Sequence, residues 1–73
     1  MTEEEFEKWR DQFLEFLSSY LNFNYCGDRN LVVLSIPKNY TLTSSLLVNI
    51  PSELHYEIGI GKGDRPLRLY IYR

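Results

Sequence analysis

His55 and Glu57 stand two residues apart in a stretch whose other positions, Leu54, Tyr56, Ile58 and Ile60, are apolar. A spacing of two puts an imidazole and a carboxylate on one face of a strand. Tyr70 and Tyr72 join that face if residues 67–72 pair back on it. Such a group of side chains holds the parts of a general acid–base site. It supplies no nucleophile and no oxyanion hole, and a chain of 73 residues with one long helix has little material for a deep cleft. Cys26, the single cysteine, has no neighbouring base in the sequence, so it reads as a packed or idle thiol before a nucleophile. Cys26 and His55 together are too few for a zinc site of Cys and His ligands. No enzyme activity, catalytic residue, cofactor, small-molecule substrate or metal is expected.

Gly59-Ile60-Gly61-Lys62-Gly63 offers backbone amides and a lysine to an anion. The spacing does not match a P-loop, and the segment precedes a strand pattern where a P-loop would lead into a helix. A hairpin loop that needs positive φ explains the glycines more simply.

The chain closes with Arg68-Leu69-Tyr70-Ile71-Tyr72-Arg73. On one sheet face Arg68, Tyr70 and Tyr72 would meet single-stranded nucleic acid by charge and stacking. Against this stands a pI of about 5.2, where a nucleic-acid-binding domain is expected to be basic. Residues 1–22 carry six acids against Lys8 and Arg10, a net −4, while residues 23–73 carry a net +2. Nucleic acid is therefore the disfavoured partner. The acidic segment instead suits a basic protein surface, with Glu4, Glu7, Asp11 and Glu15 steering the encounter. Carboxylates standing in for phosphates are the device of a protein that occupies another protein's nucleic-acid groove. Small acidic proteins of phages and other viruses work this way, an analogy of size and charge only.

These residues need elements to position them. Phe6, Trp9, Phe13, Phe16, Leu17 and Tyr20 recur at steps of three and four, with the acids mostly opposite, which predicts an amphipathic helix over 3–21. Thr2 and Glu5 fit a capping box at its start. The polar face is acidic, whereas a membrane-surface helix wants lysine and arginine there, so no membrane contact is expected. Phe23 to Cys26 fits a short edge strand, and Leu31 to Ile36, apolar on both sides of the pleat, an inner one. Residues 40–50 read as strand in part, because Thr, Val and Ile favour it; a short helix capped by Ser44 or Ser45 and ended by Pro51 is the competing reading. Residues 54–60 and 67–72 alternate as a hairpin, in a register that sets Ile60 opposite Leu67, Ile58 opposite Leu69 and Tyr56 opposite Ile71.

The fold expected is a single α+β domain, one N-terminal helix packed on one face of a three- to four-stranded, mostly antiparallel sheet. One helix covers one face. The other would show Tyr70, Tyr72 and Arg68 with His55 and Glu57, a docking surface for another protein or for a second copy. With one cysteine, no internal disulfide staples so short a chain. The acidic start is not a secretory signal, and the longest aliphatic run, Leu31 to Leu34, is far too short to span a bilayer, so a cytoplasmic protein is expected.

Overall fold

The computed structural model describes residues 1–73, apart from the side chain of Tyr40. In chain order it runs α1 (Glu3–Ser18), β1 (Asn24–Gly27), β2 (Leu31–Ile36), α2 (Tyr40–Leu47), β3 (His55–Gly59) and β4 (Leu67–Tyr72). The strands make one sheet in the order β1-β2-β4-β3, each antiparallel to its neighbours. This is the expected α+β architecture with a second, short helix added.

The capping box starts α1. Thr2 accepts at its hydroxyl from the Glu5 amide, and the Glu5 carboxylate accepts from the Thr2 amide, both at 3.2 Å. The helix stops three residues before the predicted end. Ser18 turns its hydroxyl onto the Glu15 carbonyl at 2.7 Å, a local bond through which serine weakens helix interiors. Beyond it, Tyr20 and Leu21 both donate to the Leu17 carbonyl.

Residues 40–50 are not a strand. Asn39 caps α2 by accepting from the Leu42 amide at 3.0 Å, and Thr43 donates its hydroxyl to the Asn39 carbonyl at 2.8 Å. Topology dictates the helix. β2 and β3 both lie antiparallel to β4 and so run parallel to each other, and parallel strands need a crossover connection. The fourth strand of the sheet is β1, on the outer side of β2. Gly27 ends it because a Cβ there would collide with the Leu31 carbonyl where the chain turns back.

The hairpin of β3 and β4 has the predicted register, Tyr56 opposite Ile71, Ile58 opposite Leu69 and His55 opposite Tyr72. Alternation decides what is buried. Val32, Leu34 and Ile36 of β2 and Leu67, Leu69 and Ile71 of β4 point to one side, where Phe6, Phe13 and Leu17 of α1 and Leu46 of α2 close over them. Trp9 lies at the border, its ring stacked on Phe13 at 4.8 Å and its indole N–H donated to the Asn49 carbonyl. Phe16 and Tyr20 fall outside this core. They are exposed, with ring centroids 4.7 Å apart, and line a shallow apolar groove with Leu42 and Leu46.

Candidate interaction surfaces

With both helices on one side, no element among the described residues covers the other side of the sheet. Strand pairing arranges it in rows. Leu31, Tyr72 and His55 stand side by side in the first, Cys26, Val33, Tyr70 and Glu57 in the second, and Asn24, Ser35, Arg68 and Gly59 in the third. Leu31, Val33, Tyr70 and Tyr72 are each half-buried, so an apolar centre is flanked by polar strand residues. This is the face predicted for Arg68, Tyr70 and Tyr72, and the structure brings these three together on β4.

The tyrosines are held in place. Tyr72 donates its hydroxyl to the Glu57 carboxylate at 3.2 Å, and its ring stacks on His55 at 5.6 Å. Partial desolvation, with the charge and hydrogen bond of Glu57 behind it, holds the Tyr72 phenol above its ordinary value. The Tyr70 ring lies across Gly59, 3.5 Å from where a Cβ would stand. His55 and Glu57 are thus committed to Tyr72 on an open surface. No group of three or more His, Cys, Asp or Glu side chains lies close enough to hold a metal ion among the described residues.

One end of this face is basic. Gly59, Gly61, Arg65 and Arg68 line an open cavity of about 370 Å³ together with Ser35, Ile60 and Pro66, and no acid lies within 4 Å of either arginine among the described residues. In the glycine loop next to it, the carbonyls of Gly61 and Gly63 are turned towards the Lys38 ammonium. Arg65 carries a side chain whose place here the sequence did not disclose, because only the folded loop brings it beside Arg68.

The acidic residues form a separate surface. Successive helical residues turn about 100°, so Glu4, Glu7, Asp11 and Glu15 make a stripe opposite Phe6 and Phe13, facing away from the sheet. Asp11 accepts from Arg10 Nη2 at 3.0 Å and from Nε at 3.2 Å. Desolvation of Arg10 works against its charge, yet the bond and charge of Asp11 prevail and leave the guanidinium above its ordinary value. Glu4, Glu7 and Glu15 make no ion pair within 4 Å among the described residues. The seven predicted residues therefore divide into two surfaces on opposite sides of the molecule.

Among the described residues, no helix is long and apolar enough to cross a membrane. No protein-family model, curated protein or solved structure matches this chain.

Proposed function

We propose that this chain is a non-catalytic protein-binding module, an adaptor or inhibitor of the cytoplasm, that docks another protein on the open face of its sheet. One observation carries the reading. α1 and α2 cover the same side, so Leu31, Val33, Tyr70 and Tyr72 remain half-exposed as one apolar centre with a polar border, the arrangement of an interface core and rim. Tyrosines fixed by Glu57 and by Gly59 lose little freedom on binding, which suits them as anchors. The acidic stripe of α1 supplies a second, electrostatic surface that accelerates encounter with a basic partner.

The test is capture of partners from the cells of origin after nuclease treatment, with three baits compared. Wild type retains a specific protein. Tyr70→Ala with Tyr72→Ala loses it, and Glu7→Lys with Asp11→Lys and Glu15→Lys slows or abolishes its association in low salt. Both variants retaining the same protein as wild type would rule the reading out.

The cavity lined by Arg65 and Arg68 favours a second reading, in which single-stranded nucleic acid lies along the basic end of the open face. Binding would then fall steeply with salt, and Arg68→Glu would abolish it.

A further inference from the structure

The inward row of β3 is anomalous. The residues that face the helices on β2 and β4 are sealed, with Val32, Leu34 and Ile71 at 0% and Leu69 at 1% exposure. Their neighbours on β3 face the same side, yet Tyr56 is 47% and Ile58 38% exposed, and Ile60, just past the strand, 62%. β3 is also an outer strand. Among the described residues its only hydrogen-bonded neighbours are β4 and, through Glu57, Tyr72. Residues 55–60 contain no proline and no lysine, and the pairing with β4 contains no bulge, so of the devices that protect an outer strand β3 keeps only its short length and the single charge of Glu57.

We propose that the occupant of this edge is a second copy of the chain, paired β3 to β3 antiparallel about a two-fold axis at Ile58. An antiparallel pair in one sheet keeps both helix layers on the same side. The axis sets Ile58 opposite Ile58 of the second copy, Tyr56 opposite Ile60 and Glu57 opposite Gly59. Six apolar side chains then form one continuous row between the two helix layers and cover each other, as cross-strand pairs do. Charge selects this register over its neighbour, since an axis at Glu57 would set two carboxylates face to face. An axis at Tyr56 would bring in Leu54, which is already buried and bonded through its amide to the Pro51 carbonyl. The outer edge at β1 does not compete. It is four residues long and offers Asn24, Tyr25, Cys26 and Gly27, and a β1-to-β3 contact would not close, giving open chains of molecules. The interface is isologous and leaves the open face clear on both copies, so it stands or falls independently of partner binding there.

Sedimentation at concentrations up to about 1 mM, where small interfaces associate, should show a reversible dimer. Ile58→Lys sets two ammonium groups together at the axis and should weaken association about tenfold or more while the circular dichroism stays native. A second set of variants does not rely on that substitution folding. In a Cys26→Ser background, Ile58→Cys should cross-link across the axis under mild oxidation much faster than Tyr56→Cys or Glu57→Cys. A monomer throughout the concentration range, open-ended oligomers, or preferential cross-linking at position 56 or 57 would each overturn the proposal.

Discussion

Lys38, in the turn between β2 and α2, reaches the loop between β3 and β4 and donates its ammonium to the Gly61 carbonyl at 2.9 Å and to the Gly63 carbonyl at 3.3 Å. The two turns are distant in sequence and lie at the same end of the sheet. One lysine thus fastens the hairpin loop to the helix-bearing crossover. Gly63 adopts φ of 64° in that loop, a left-handed conformation that glycine takes without strain.

Lys38→Met should therefore loosen residues 61–65 before anything else. Amide exchange in the loop should accelerate, while β4 amides opposite β2 keep their protection. The loss of global stability should be small, about 1 kcal/mol, as both partners stay in contact with water. Uniform acceleration across the sheet would show that the lysine does not act locally.

Phe13 and Phe16 sit one turn apart on α1 and should respond very differently to truncation. Phe13 is sealed and stacked on Trp9, while Phe16 rests on Tyr20 at the surface. Phe13→Ala should cost about 3–5 kcal/mol, which approaches the whole stability of a domain this small, and thermal melts should show a chain largely unfolded. Phe16→Ala should fold normally and melt only a few degrees lower. Equal effects would mean that both rings belong to the core.

Asn39→Ala should cost about 1 kcal/mol, the worth of an N-cap, read by urea denaturation, and Asn39→Asp should restore most of it. This residue also marks where the sequence misled. Thr41, Thr43, Val48 and Ile50 are strand formers by propensity, and Ser44 and Ser45 drew attention as caps. The true cap lies five residues before Ser44, directly after Pro37-Lys38. What overrides propensity is the strand order. Once β4 inserts between β2 and β3, their connection has to cross over, and no local pattern in residues 40–50 reveals that insertion. The helix α1, the β3–β4 register and the uncovered face were all legible because each follows from periodicity within one segment or one hairpin. The half-bare inward row of β3 was not. Tyr56, Ile58 and Ile60 alternate as cleanly as Leu67, Leu69 and Ile71, and only their place at the sheet edge separates an exposed row from a sealed one.

The capping box makes a pH-dependent contribution whose sign is fixed by Glu5. Its carboxylate accepts from the Thr2 amide and also bonds the Thr2 side chain, and together with the nearby N-terminal charge and Lys8 these hold its pKa below the ordinary 4.5. A carboxyl with a lowered folded pKa stabilises the fold above its unfolded value and loses that contribution as pH falls through the folded value. The box should therefore act in full above pH 4.5 and weaken progressively below it as Glu5 takes up a proton. A carbon-detected NMR titration should give Glu5 a midpoint below 4.5, and Thr2→Ala should move it back up towards that value. Fraying of the first turn of α1, followed by amide exchange, should set in with the same midpoint. A Glu5 midpoint at or above 4.5 in the wild-type chain would mean that the Thr2–Glu5 pair is open in solution and that α1 begins without it.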